Sequence, residues 1–236
     1  MDSIEKIHEG KTASEYFTIQ NQEIIKLIPK NPGKILDVGC ATGALGEHIL
    51  KTLKPEIYDG IEVVPDIAEK AKKRLSSVFV GQAEHILPEI PDGTYDCIIM
   101  ADSLEHTVDP WTVLKQVYRV LSKEGKLLIS IPNVRNLGVV TELLVKGDWK
   151  YRDFGIMDQG HLRFFTKKSL TNMLSQQGFS VYKLYSNPIN RWKKFRGRFI
   201  ARMLSVAIGK PGHYEEFITV QWILGAEKKP LDKEQY

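Results

Sequence analysis

The chain has 236 residues, of which 42% are hydrophobic and 26% are charged, as expected for one globular domain with a sizeable core. Its first residues, MDSIEKIHEGK, are charged, and no run reaches the roughly 18 apolar residues of a transmembrane helix. We therefore expect a cytoplasmic protein. The two cysteines, Cys40 and Cys97, are too few for a disulfide framework or a multi-cysteine zinc site.

Short apolar runs alternate with helical patterns through most of the chain. Amphipathic stretches at Asp66–Leu75 and Trp111–Leu121 predict helices, and Asp109-Pro110 is a typical helix start. Strands that are separated by helices favour a parallel sheet covered on both faces. The apolar runs predict strands at Lys34–Val38, Ile57–Glu62, Val78–Val80, Tyr95–Ala101, Gly125–Ile131 and Phe179–Tyr185.

The C-terminal part differs from the rest in charge and pattern. Between Pro188 and Tyr214 there are seven Lys or Arg and no acid, so the excess of positive charge is a local feature. The run EEFITVQWILGAEKK, which begins at Glu215, has no helical pattern after it. It predicts a long last strand that adds to the sheet in an antiparallel direction.

The stretch KILDVGCATGALG, Lys34 to Gly46, contains the first predicted strand and the glycine-containing loop after it. In a doubly wound sheet, ligands bind beyond the carboxyl ends of the strands, and glycine lets the backbone approach them closely. Glu62, at the end of the next strand, could accept both hydroxyls of a ribose. A dinucleotide fingerprint would need glycine at Ala41 and Ala44, so the loop does not support a nicotinamide site.

What remains of the loop is Asp37-x-Gly39-x-x-x-Gly43. It resembles motif I of the class I S-adenosylmethionine-dependent methyltransferases, usually D-x-G-x-G-x-G, with Ala41 in place of the middle glycine.

The resemblance continues along the chain in the family's order, from Asn31 to Tyr185. YDGIEVVPDIAEKAKKR resembles the second strand with its ribose-binding acid, and FVGQAEHIL resembles the adenine-contacting segment, with Gln82 where many members have Asp. YDCIIMADSLEHTVDPWTVLKQVYRVLSKEGKLLISIPN is similar to the fourth strand, the E-H after it and the entry to the fifth strand. GHLRFFTKKSLTNMLSQQGF resembles a subgroup related to ubiquinone-biosynthesis O-methyltransferases and to sugar- or lipid-modifying enzymes.

The resemblance implies an α/β fold for residues 1–236 as a single domain: a doubly wound, seven-stranded, mostly parallel sheet, Rossmann-like, with an antiparallel last strand. It also implies S-adenosylmethionine as the cofactor and S-adenosylhomocysteine as its product. The cofactor-binding residues that it implies are Asp37, Gly39, Cys40, Ala41, Gly43, Glu62, Val63, Gln82, Ala83, Glu84, Ala101, Asp102 and Leu104.

The cluster Asp102-x-x-Glu105-His106 has three interpretations. It could shape the pocket, supply a general base for a hydroxyl acceptor, or bind a divalent ion. His161, beside Arg163, could orient an acceptor or be hydrogen-bonded within a buried loop. We name His106, His161 and Glu105 as candidate catalytic residues and assign no metal ligand.

Two segments are expected on the acceptor side. Residues 133–165 form a predicted irregular insertion after the fifth strand, where specificity usually resides on loops. Residues 188–214 form a basic insertion between the last two strands. They could be a plain lid over the cleft, a peripheral contact with an anionic membrane or lipid-linked acceptor, or, least favoured, a nucleic-acid contact. Tyr16 and Phe17 are expected in the core or in a lid.

The sequence therefore predicts a methyltransferase that acts on a small-molecule or lipid- or sugar-linked acceptor by in-line displacement. Alternatives are a non-catalytic S-adenosylmethionine-binding protein and, with less support, a nicotinamide-dependent oxidoreductase. The oligomeric state and the acceptor are not specified by any motif.

Overall fold

The computed structural model of the chain describes residues 22–188, 195–207 and 209–229. The predictions on Tyr16 and Phe17 lie outside these residues, as do those on part of the basic segment, including Arg191, Lys193 and Lys194. In the described part of the chain, no helix has both the length and the apolar character needed to cross a membrane.

Seven strands form one sheet in the order β3-β2-β1-β4-β5-β7-β6. β7 runs antiparallel to β5 and β6, and the other pairs are parallel. The predicted doubly wound fold with an antiparallel last strand is confirmed. The strands are β1 Lys34–Val38, β2 Ile57–Glu62, β3 Ser77–Val80, β4 Tyr95–Ala101, β5 Leu121–Pro132, β6 Phe179–Pro188 and β7 Thr219–Lys228.

Helices connect the strands and cover the sheet. The predicted start at Asp109-Pro110 is confirmed, because the Asp109 side chain accepts hydrogen bonds from the backbone N–H groups of Trp111 and Thr112. The helices of the described residues are α1 Gln22–Leu27, α2 Ala44–Thr52, α3 Pro65–Ala71, α4 Ala83–Ile86, α5 Pro110–Val120, α6 Leu137–Lys146, α7 Lys167–Gln176, α8 Phe195–Ala207 and α9 Tyr214–Ile218.

The core lies on both faces of the sheet. Leu36 and Val38 of β1 pack into one buried cluster, and Ile35 packs into the cluster on the opposite face. Successive side chains of a strand point to opposite faces, so a strand covered by helices on both sides must be apolar throughout. This explains why the central strands are largely apolar in the sequence, apart from a few buried acids such as Asp37 in β1.

The last strand begins later than predicted. Residues Tyr214–Ile218 form helix α9, and β7 starts at Thr219. Phe217 and Ile218 are buried in a small cluster with Leu137 of α6 and Ala201 of α8. The prediction of a strand was wrong for Glu215–Ile218, because Phe217 and Ile218 pack against helices that are distant in sequence.

The segment 133–165 was predicted to be irregular, and this prediction was wrong for Leu137–Lys146, which forms helix α6. The Asn136 side chain caps its first turn by accepting a hydrogen bond from Gly138 N at 3.0 Å. Gly147 ends the helix with a left-handed φ of 67°. Both signals are present in the sequence.

Candidate cofactor and active site

The loop between β1 and α2 bends tightly beside β2. The backbone N–H groups of Gly39 and Cys40 both donate to the carbonyl of Ile61, at 2.9 and 3.0 Å. Gly39 has a φ of 82°, and a Cβ there would lie 2.7 Å from the Cβ of Ser103. Glycine is therefore required at position 39 by both backbone conformation and space. Ala41, at the departure from the family motif, adopts a left-handed φ of 47°.

Glu62 at the end of β2 holds this loop in place. The residue is buried, its Oε2 accepts a hydrogen bond from Ala41 N at 3.0 Å, and its Oε1 accepts one from Val64 N at 2.9 Å. Each carboxylate oxygen can accept a second hydrogen bond. The carboxylate is thus oriented by the backbone and retains acceptor capacity for hydroxyl groups of a ligand.

A cavity of about 340 Å³ opens at the carboxyl edge of β2, β1 and β4. Strand order reverses between β1 and β4, so the cavity lies at the switch point where doubly wound sheets bind ligands. Its volume falls within the range of about 300–1,000 Å³ that is usual for small-molecule sites. Among its lining residues are these predicted ones: Gly39, Glu62, Val63, Gln82, Ala83, Glu84, Asp102 and His106.

The cavity also has walls that the sequence reasoning missed. Apolar side chains and small polar ones flank the predicted residues, namely Val64, Ile67, Ser103, Thr107 and Val108. Their positions could have been predicted, because they lie close to Glu62 or to the pair Glu105-His106 in the sequence. Such walls fit a planar aromatic group such as adenine.

The other predicted cofactor residues do not line the cavity. Gly43 is the N-cap of α2 with a φ of 76°, and Ala41 meets Glu62 through its backbone. Cys40 and Leu104 are buried, and Ala101 ends β4. These residues lie in the loop after β1 or near the end of β4, and their direct contact with a cofactor stays a prediction.

Asp37 lies buried below the glycine loop. Its Oδ2 accepts a hydrogen bond from the Tyr58 hydroxyl at 2.9 Å, and its Oδ1 has no partner in the described residues. Burial raises the pKa of Asp37 to about 7, against the opposing effect of the Tyr58 hydrogen bond, with Glu62 adding a smaller increase. This carboxyl is therefore a pH-sensitive element of the loop.

We expect Asp37→Asn to remove a pH dependence of stability. Because the pKa rises on folding, from 3.8 to about 7, the stabilising contribution of Asp37 is complete below pH 3.8 and is lost as pH rises through 7. The loss is on the order of 4 kcal/mol for a shift of this size. The free energy of unfolding, measured with urea from pH 4 to 8, should decline less steeply with pH for the variant than for the wild type. The exposed Asp66→Asn serves as the control, and an unchanged decline in Asp37→Asn would contradict the assignment.

Glu105, His106 and His161 form a second polar cluster beside the cavity. The Nδ1 of His106 lies 2.9 Å from the carbonyl of Gly160, and the Nδ1 of His161 lies 3.2 Å from the carbonyl of Ile156. A carbonyl only accepts, so both Nδ1 atoms carry the hydrogen and both Nε2 atoms carry a lone pair when the rings are neutral. The two ring centroids are 4.8 Å apart.

Only His106 of this cluster lines the cavity. Glu105 is buried, and neither of its carboxylate oxygens has a hydrogen-bond partner among the described residues; the Nε2 of His161 lies 3.9 Å from its Oε1. Burial, with Asp102 adding to it, holds the pKa of Glu105 well above its usual range, and burial lowers the pKa of His161. Both groups are therefore favoured in their neutral forms.

The same three side chains could hold a metal ion, since one ligand atom from each lies within 4.8 Å of the others. A neutral imidazole whose other nitrogen donates to a carbonyl is also the usual form of a ligating histidine. The geometry therefore permits both a proton-transfer role and a ligand role for this cluster.

Comparison with known proteins identifies the family. Residues 14–184 match a family model described as a methyltransferase domain. A ubiquinone biosynthesis O-methyltransferase of Xanthomonas axonopodis is 28% identical over 137 residues, which cover 51% of this chain and 56% of the relative. A demethylmenaquinone methyltransferase of Thermotoga maritima is 28% identical over 68% of this chain and 76% of its own length. The chain thus spans about half the length of the first of these curated relatives.

Solved structures agree on the fold. An S-adenosylmethionine-dependent methyltransferase of Archaeoglobus fulgidus superimposes with a TM-score of 0.72 at 18% identity, covering 97% of this chain and 100% of the other. A second one, from Aquifex aeolicus, gives a TM-score of 0.60 at 16% identity and covers 96% and 98%. The predicted resemblance to class I S-adenosylmethionine-dependent methyltransferases is confirmed, and the chain belongs to the methyltransferase-domain family.

Proposed function

We propose that this protein transfers the methyl group of S-adenosylmethionine to a small-molecule acceptor, free or linked to a lipid or sugar. The observation that carries the proposal is the cavity at the β1–β4 switch point, with the oriented Glu62 carboxylate in its wall. A carboxylate acceptor beside apolar walls suits a ribose and an adenine. The fit therefore favours a nucleoside cofactor, and the family match favours S-adenosylmethionine.

The chain's own residues bind and align the reactants. S-adenosylmethionine supplies a methyl group on a positively charged sulfur, so the leaving group is already activated. Glu62 and the 39–43 loop would hold the cofactor, and Asp102 and His106 lie on the β4 side of the cavity, where the acceptor would enter. Alignment of two reactants can supply about 7–11 kcal/mol of a barrier in favourable cases.

His106 is the side chain that we assign as general base for a hydroxyl or amine acceptor. Its Nδ1 is committed to Gly160, which leaves the Nε2 lone pair available. When the acceptor atom bonds to the methyl carbon, the carbon–sulfur bond would break and its electron pair would stay on sulfur. The acceptor's proton moves to Nε2 of His106. Glu105 and His161, behind His106, would act through it by fixing its orientation and keeping its surroundings uncharged.

The names of two relatives support a small acceptor. One is named for ubiquinone biosynthesis and the other for demethylmenaquinone, although they share only 28% identity with this chain. The direct test is transfer of label from methyl-labelled S-adenosylmethionine into fractionated cell extract. Label in a small-molecule or lipid fraction is expected. Tight binding of S-adenosylhomocysteine without any transfer would instead indicate a non-catalytic binding protein.

We further propose that helix α8, within the basic segment 188–214, contacts an anionic membrane that presents the acceptor. The exposed Arg198 and Arg202 lie on this helix, and the helix contains no acid. A second copy of the chain packed symmetrically on the same face would bring these cations together, whereas anionic lipid would complement them. Five large hydrophobic side chains of the helix are also exposed: Phe199, Ile200, Met203, Leu204 and Val206.

Vesicle sedimentation tests this contact. The protein should bind vesicles of phosphatidylcholine with phosphatidylglycerol more tightly than phosphatidylcholine alone, and salt should weaken the binding. Phe199→Gln with Met203→Gln should reduce binding by about tenfold, because two apolar anchors are lost. Phe79→Gln with Trp111→Gln, also exposed, is the matched control. Equal binding by both variants would contradict the proposal, and a dimer disrupted by the first pair would indicate a protein contact.

A further inference from the structure

Asp102 occupies a strained position at the end of β4. Its φ is 51°, a left-handed value that is uncommon outside glycine, although asparagine and aspartate adopt it more readily than other residues do. Its backbone N–H donates to both the carbonyl and the hydroxyl of Ser130 on β5, each at 3.1 Å. Strained backbone of this kind persists where the surrounding structure holds it, and it concentrates at binding and catalytic sites. Asp102 also lines the cavity.

The Asp102 carboxylate is held from β7. The Nε2 of Gln221 donates to both of its oxygens, at 2.7 and 2.6 Å. Gln221 is buried, and its Oε1 accepts a hydrogen bond from Asn187 Nδ2 of β6 at 3.1 Å. Because a carboxylate only accepts, the nitrogen of the Gln221 amide faces Asp102 and its oxygen faces Asn187. A chain of side-chain hydrogen bonds thus runs from β6 through β7 to the end of β4.

The cavity has carboxylates at opposite ends. Glu62 ends β2 and Asp102 directly follows β4, with β1 between them, which is a separation of two strand spacings, or about 10 Å. The oxygens of Glu62 are oriented by backbone N–H groups of the loop, as a site for neutral hydroxyls requires. Asp102 is instead oriented by side chains, namely the Gln221 amide and the Ser130 hydroxyl, and it lines the cavity.

We propose that Asp102, positioned by Gln221, is the anionic group that distinguishes the cationic sulfur of the methyl donor from the neutral sulfur of its product. The inference rests on the proposed function. S-adenosylmethionine and S-adenosylhomocysteine share the adenosine and amino-acid parts and differ by one methyl group and one positive charge. An oriented carboxylate attracts the charged sulfur and gains nothing from the neutral one. This difference in attraction would also favour the exchange of S-adenosylhomocysteine for S-adenosylmethionine after each turnover.

The ionisation state of Asp102 sets the conditions of the test. Burial raises the pKa of this carboxyl, and the hydrogen bonds from Gln221 and Ser130 lower it, as does the nearby His106. The affinities are measured at about pH 8, because a higher pH favours the carboxylate form and therefore the attraction between unlike charges.

Titration calorimetry of both compounds, without acceptor, tests the proposal. In Asp102→Asn, the affinity for S-adenosylmethionine should fall by about tenfold, while that for S-adenosylhomocysteine should change less than about twofold. Gln221→Met keeps the charge and removes the amide, so the ratio of the two affinities should fall by about threefold. Glu62→Gln is the matched control, because the ribose is common to both compounds and the ratio should stay unchanged.

Each outcome decides the inference. If Asp102→Asn loses affinity for both compounds equally, the inference is overturned and Asp102 is an ordinary cofactor contact. An unchanged ratio in Gln221→Met would remove the positioning role of Gln221. If thermal unfolding shows that Asp102→Asn is not folded, Gln221→Met alone decides. A wild-type protein that binds neither compound would overturn the proposed function as well, which distinguishes the two failures.

Discussion

Replacing Glu62 by alanine should weaken binding of S-adenosylhomocysteine by about 10²–10⁴-fold. The carboxylate can accept both ribose hydroxyls, and a hydrogen bond to a charged group contributes about 1.5–3 kcal/mol. In this structure the same carboxylate also accepts hydrogen bonds from Ala41 N and Val64 N, so its removal would loosen the loop that forms the cavity wall. Titration calorimetry with S-adenosylhomocysteine measures the change.

The control for this experiment is Glu69→Ala, which removes an exposed carboxylate from the neighbouring helix α3. Its affinity should equal that of the wild type. Circular dichroism and thermal unfolding establish that Glu62→Ala remains folded. If a folded Glu62→Ala binds the product as tightly as the wild type does, Glu62 does not contact the ribose and the cofactor lies elsewhere in the fold.

The second large effect is expected at His106. His106→Ala should reduce methyl transfer to a hydroxyl acceptor by about 10²–10⁴-fold, the range that is typical for loss of a general base. Affinity for S-adenosylhomocysteine should change little, since His106 is an exposed residue at the edge of the cavity. Single-turnover transfer of labelled methyl groups into the active extract fraction is the measurement.

His85→Ala, on the exposed side of the short helix α4, is the matched histidine control. His161→Ala should have a smaller effect than His106→Ala, because the His161 side chain is buried behind His106 and does not line the cavity. If activity disappears with a chelator and returns with magnesium or zinc, the assignment of His106 as a base is wrong. A metal ion bound by Glu105, His106 and His161 would then explain the activity.

Much of the fold is predictable because its signals are local. The short, largely apolar run of β1, the cap at Asp109 and the glycines of the 39–43 loop each act within a few residues of backbone. The same applies to Glu62, whose place as the last residue of β2 brings it to the carboxyl edge of a parallel sheet. The cofactor side of the site therefore follows from order and spacing along the chain.

Helix α6 and the start of β7 were mispredicted for different reasons. The cap at Asn136 and the stop at Gly147 are local signals that were overlooked. In contrast, Glu215–Ile218 begins the run that was predicted to be a strand, and its helical state depends on the cluster that Phe217 and Ile218 form with α6 and α8. Tertiary packing there overrides the local preference.

The sequence by itself determined the doubly wound sheet, the glycine loop and the acid at the end of β2, since periodicity, turn residues and strand ends are properties of neighbouring residues. Only the tertiary structure decided which side chains meet on the β4 side of the cavity, where the acceptor would enter. Gln221 reaches Asp102 across 119 residues, and Gly160 fixes the tautomer of His106 across 54. Such contacts exist because β7 lies between β5 and β6 and because the 156–163 turn packs against the residues that follow β4. No local backbone preference determines which distant side chains then meet.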